Sequence, residues 1–76
     1  MKEFVAYLVK NLVDQPNEVN VDIYDGDRST VVEIRVAPTD VAKVVGRQGR
    51  TIKALRTIAM TVGARFNRKV RVEVVH

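Results

Sequence analysis

Residues 44–52 read Val44-Val45-Gly46-Arg47-Gln48-Gly49-Arg50-Thr51-Ile52. Two glycines enclose two polar residues, with an apolar pair before them and an apolar residue after. On the upstream side, Val41 to Val45 reads as a short helix that Thr39 or Asp40 can cap. Gly46 stops it, because glycine accepts the left-handed backbone common just past a helix end. On the downstream side, Ile52, Leu55, Ile58, Ala59 and Val62 share one face of a helix from about Arg50 to Val62. Gly63 reads as its C-terminal stop. The segment is therefore a glycine-bounded turn between two helices. Glycine permits a sharp turn and a close approach of the backbone to a ligand. The N–H groups that open the second helix favour an anion. Lys43, Arg47, Arg50 and Lys53 surround the turn, and the sequence has no carboxylate between Asp40 and Glu73. The expectation is a phosphodiester backbone across the loop, with bases on an apolar strip of Val44, Val45 and Ile52.

The flanking sequence supplies the rest of the fold. Phe4, Val5, Leu8, Val9, Leu12 and Val13 recur at helical spacing, and Pro16 ends that helix near Asp14. Val19, Val21 and Ile23 alternate with polar residues, as do Val32, Ile34 and Val36, so both segments read as strands. Asp25-Gly26, lengthened by Asp27 and Arg28, turns the first strand into the second as an antiparallel hairpin. Pro38 ends the second strand. A basic loop, Ala64 to Arg68, leads to a last strand carrying Val70, Val72 and Val74. The order is α-β-β-α-α-β. The fold class is α+β: a three-stranded sheet with three helices packed on one face.

Composition narrows the function. The 76 residues are 46% hydrophobic and 29% charged, which suits one small globular domain. Cysteine is absent and His76, the single histidine, is the last residue and reads as a frayed terminus. That removes thiol chemistry, disulfides and most imidazole chemistry. No nucleophile–base pair or metal cluster can be assembled, so no enzyme, cofactor or small-molecule substrate is expected. The longest apolar run, Phe4 to Val9, is too short for a bilayer or a signal-peptide core, so a cytoplasmic protein without membrane contact is expected. Charge is divided unevenly. Residues 1–40 hold four cations and eight carboxylates, and residues 41–76 hold nine cations and only Glu73. A polyanion-binding side is implied.

An apolar pair followed by G-x-x-G and a later apolar residue, placed between two helices, resembles the K-homology (KH) signature. The element order resembles the type II, bacterial form of that domain, over residues 1–76 as a single unit. Leu12-Val13-Asp14, Pro16, Val19 and the stretch from Val36-Ala37-Pro38 through Arg56 resemble the small stand-alone KH proteins of the KhpA (YlqC) type. Ala42, Val45 and Arg47 stand where that family often has glycine, isoleucine and lysine, and all three keep the chemistry. The resemblance implies a single-stranded RNA-binding protein that clamps about four nucleotides at the loop. It also implies an RNA chaperone or post-transcriptional regulator, linked to cell-envelope growth and cell-length control. Pairing with itself, or with a larger KH partner of the KhpB (Jag) type, is implied as well. Carried onto this chain, the RNA-binding residues are Lys43, Val44, Val45, Gly46, Arg47, Gln48, Gly49, Arg50, Ile52, Lys53 and Arg56.

Plainer readings stand beside these. The two glycines also fit helix punctuation. Arg50, Lys53 and Arg56 also fit a solvated helix face, and Val44, Val45 and Ile52 are core residues first. Arg65, Arg68, Lys69 and Arg71 fit either the far side of a groove or a solvated rim. A helix-turn-helix DNA reader using Arg50–Val62 is the main alternative, although its first helix is only about five residues. A protein-interaction or oligomerisation module using a free sheet edge is another. RNA-recognition motifs and OB-folds read bases with strand-borne aromatic rings. Here Phe4, Tyr7, Tyr24 and Phe66 are the only aromatics, and none lies between Lys43 and Arg56.

Overall fold

A computed structural model describes residues 1–75; His76 lies outside the described residues. The elements are α1 (Lys2–Lys10), β1 (Asn20–Asp25), β2 (Ser29–Arg35), α2 (Val41–Val45), α3 (Arg50–Ala64) and β3 (Lys69–Val75). Single 3-10 turns at Pro16–Glu18, Pro38–Asp40 and Arg47–Gly49 join them. The expected α-β-β-α-α-β order is what forms. Among the described residues, no helix is long and apolar enough to cross a membrane.

The sheet runs β1-β2-β3. β1 pairs with β2 antiparallel, with Val21 opposite Ile34 and Ile23 opposite Val32. β2 pairs with β3 parallel, with Val32 opposite Val72 and Ile34 opposite Val74. A two-residue pleat then puts Val21, Val32, Ile34, Val70 and Val72 on one face, and all five are buried. Val5 and Val9 of α1, Val44 of α2, and Ile52, Leu55 and Ala59 of α3 complete the core over that face. Each large apolar side chain contributes roughly 1.5–3 kcal/mol when fully buried. The opposite face carries Tyr24, Arg35, Lys69 and Arg71, all exposed. Same-strand ion pairs run across it from Arg35 to Glu33 and from Arg71 to Glu73.

Three local expectations are corrected. α1 ends at Lys10 rather than near Asp14, because Asn11 and Leu12 close a turn onto the carbonyls of Tyr7, Leu8 and Val9. Neither Thr39 nor Asp40 caps α2 through its side chain. Asp40 is instead 1% exposed, and its two carboxylate oxygens accept the N–H groups of Asp14 at 3.2 Å and Gln15 at 3.0 Å. A buried carboxylate requires such donors, and these two tie the α1–β1 connection to the start of α2.

Gly63 is the third correction. It lies inside α3 and is buried. A Cβ there would meet Val70 Cγ2 at 2.3 Å and the Arg68 carbonyl oxygen at 3.1 Å. Only a glycine fits, because α3 presses onto β3 at this point. Gly63→Ala is expected to destabilise the protein by about 1–3 kcal/mol despite alanine's better helix propensity, because Val70 is stiff and has no room to yield. Urea titration of the two proteins measures it.

Candidate nucleic-acid interface

The glycine turn is held by two different constraints. Gly46 has φ 77° and ψ 172°, a backbone region essentially reserved for glycine. A Cβ on it would lie 2.2 Å from Thr51 Oγ1 and 2.9 Å from the Thr51 backbone nitrogen. The bare side of Gly46 is thus filled by Thr51 of α3, not left open for a ligand. Gly49 has φ 73° and ψ 15°, the left-handed helical region. A Cβ on Gly49 would meet nothing nearer than Ile52 Cγ2 at 4.0 Å, so the space beside it is open. Of the two glycines, only Gly49 leaves room beside the backbone. Between the glycines, Gln48 also takes a positive φ of 57°. The Gly49 N–H closes the turn onto the Gly46 carbonyl at 3.1 Å.

The candidate residues divide by exposure. Lys43, Arg47, Gln48, Arg50, Lys53 and Arg56 are exposed, and Val45, Gly46 and Gly49 are half-buried. Val44 is fully buried and Ile52 is 7% exposed. Both belong to the core, so the expected apolar strip shrinks to Val45 at the surface. Arg50 Nη2 donates to Gln48 Oε1 at 3.3 Å, which ties the loop tip to the first turn of α3. Arg56 leaves this group: its Nε donates to the Val72 carbonyl at 3.3 Å, on the free edge of β3.

The electrostatics of α3 are inverted. Its first turn holds Arg50 and Lys53 and no acidic residue. A helix N-terminus disfavours cations by roughly 0.3–1 kcal/mol each. That local cost is offset when an anion sits among the cations and the helix N–H groups.

Sequence reasoning missed three things. Lys43 is not free of carboxylates, because Asp14 forms an ion pair with it from the α1–β1 connection. Arg68 lines a cleft beside β3 and is also anchored within the fold. Its Nε donates to Thr30 Oγ1 at 2.9 Å and its Nη2 to the carbonyls of Gly26 at 2.7 Å and Ser29 at 3.0 Å. It clamps the hairpin. The signal in the chain was its place just before a strand parallel to β2, whose start is the hairpin turn. The third is a cleft of about 720 Å³ between the outer flank of α3 and the edge of β3. Met60, Val70 and Val72 line it together with the cations Arg56, Arg68, Lys69 and Arg71.

The family model for the KhpA/KhpB KH domain matches residues 2–74. The chain belongs to the KhpA/KhpB family of KH domains. Relatives named RNA-binding protein KhpA match along nearly the whole chain. The one from Chlamydia trachomatis is 49% identical over 74 residues, 97% of this chain and 95% of its own. The one from Clostridium perfringens is 43% identical over 75 residues, 99% of this chain and 100% of its own. The one from Borreliella burgdorferi is 40% identical over 72 residues, 95% of this chain and 88% of its own. No solved structure matches. The mixed three-stranded sheet and three helices agree with a type II KH domain. In this KhpA/KhpB domain the G-x-x-G loop is Gly46–Gly49.

The two glycines differ in what they tolerate. Gly46→Ala is expected to cost about 3 kcal/mol of stability or more, from strained backbone and the collision with Thr51. Gly49→Ala is expected to cost about 1 kcal/mol, the left-handed penalty alone. Thermal unfolding of both variants distinguishes them.

Proposed function

We propose that this protein binds single-stranded RNA, laying the phosphodiester backbone across Gly46–Gly49. The observation that carries the reading is the first turn of α3, where Arg50 and Lys53 sit against the helix dipole with no acidic neighbour in that turn. A protein keeps such a locally unfavourable arrangement where function needs it. Arg47 and Gln48 stand at the exposed tip, Lys43 flanks it, and the open side of Gly49 admits a close ligand. Bases then lie against Val45 and run toward the cleft along β3, where Arg56 lies at the strand edge. Val44 and Ile52 support this surface from beneath. The naming of the relatives as RNA-binding proteins supports the same reading.

About four nucleotides fit a KH loop of this kind, and they are gripped mainly through backbone. Such a short grip binds weakly by itself. Effective concentration raises the affinity when two loops act together. A homodimer, or a complex with a larger KhpB-type KH protein, supplies the second loop. Weak, sequence-tolerant binding suits an RNA chaperone or post-transcriptional regulator in the cytoplasm, and the resemblance extends that role to cell shape and envelope growth. The protein does no chemistry on the RNA.

The test replaces both tip residues, Arg47→Asp and Gln48→Asp. Fluorescence anisotropy with a single-stranded oligoribonucleotide is expected to show binding by the parent and none by the variant. Circular dichroism is expected to be unchanged, because both side chains are exposed. Contacts to ~3–5 phosphates give the parent a log–log salt slope of roughly −2 to −4. Normal RNA binding by the doubly substituted protein, or preference of the parent for duplex DNA, overturns the reading.

A further inference from the structure

The acidic half of the chain reaches the basic loop at Asp14. Its carboxylate pairs with Lys43 Nζ across 29 residues of sequence. Both side chains are substantially exposed, at 72% for Asp14 and 44% for Lys43. The pairing is nevertheless built, not incidental. The Asp14 N–H and the Gln15 N–H are both held by the buried carboxylate of Asp40. Gln15 Nε2 also donates to Thr39 Oγ1 at 3.1 Å. Three hydrogen bonds therefore fasten residues 14 and 15 to residues 39 and 40, at the foot of α2. Lys43 is on α2, near the start of the glycine turn. The connection after α1 is thus held where the Asp14 carboxylate meets the first cation of the loop.

We infer that Asp14 moderately weakens RNA binding, by occupying Lys43 with an internal carboxylate that a backbone phosphate must displace. This rests on the RNA-binding reading above and adds a residue outside the loop to it. An exposed pair of this kind is weak, so Asp14 does not close the site. It lowers the gain from one of the four loop cations and leaves Arg47, Arg50 and Lys53 to make the first contacts. It also reduces the salt sensitivity of binding, because a cation already paired within the protein adds less to the phosphates neutralised on association.

The experiment is a double-mutant cycle with Asp14→Asn, Lys43→Gln and the double variant, read by anisotropy with a single-stranded oligoribonucleotide at several salt concentrations. Asp14→Asn keeps the backbone N–H that Asp40 accepts, and equal melting temperatures check that the fold is retained. Asp14→Asn is expected to tighten binding about three-fold at low salt. It is also expected to steepen the log–log salt slope by about 0.7, the contribution of one further phosphate on a single strand. In the Lys43→Gln background the same substitution is expected to change neither quantity appreciably. No gain from Asp14→Asn, or an equal gain with Lys43 removed, overturns the inference while RNA binding stands. Failure of the parent protein to bind RNA overturns the function and the inference together.

Discussion

A parallel strand pair cannot be closed by a tight turn, because the chain must return to the end at which it began. β2 and β3 are such a pair. Between Arg35 and Lys69 the chain must leave the sheet and travel back along it. α2, the glycine turn and α3 make that crossing. α3 lies over the same sheet face as α1 and presses its Gly63 against Val70. The turn between α2 and α3 lies within that crossover, and Arg47 and Gln48 at its tip are exposed.

The same topology divides the charge. The hairpin and α1 hold most of the carboxylates, and the crossover and β3 hold most of the cations. Two contacts bring the sets together over a long sequence distance. Arg68 crosses from the foot of β3 to the hairpin turn, where its guanidinium satisfies two carbonyls and the buried Thr30 hydroxyl. Asp14 crosses to Lys43. The first contact is structural and fully engaged. The second is exposed on both sides and held by a single ion pair. Unequal use of the two contacts follows from their surroundings, since the number of hydrogen bonds around each decides how easily it is exchanged.

Several site residues were legible in the chain because their signals are local. An apolar pair, two glycines and a following apolar residue lie within nine positions, and the flanking helices show their own periodicity. Other readings failed for equally physical reasons. Gly63 looks like a helix stop because glycine often is one, but here it is required by a strand residue that arrives seven positions later. Val44 and Ile52, by contrast, read as core residues first, and folding buries them in one core with Ile34 and Val72. Arg56 reads as part of a cationic face with Arg50 and Lys53, yet the edge carbonyl of Val72 draws it toward the sheet.

Periodicity and turn residues alone determined the order of elements, the face each one buries and the position of the glycine turn, because these depend on residues within about one helical turn or one strand pleat of each other. Tertiary structure decided what each charged group is near. Asp14 and Lys43, Arg68 and Thr30, and Arg56 and Val72 are separated by 29, 38 and 16 residues. No local pattern encodes those pairings. They arise when a parallel pair forces the crossover back over the sheet, and that return decides which side of Gly46 and Gly49 is filled by the protein and which is open to a ligand.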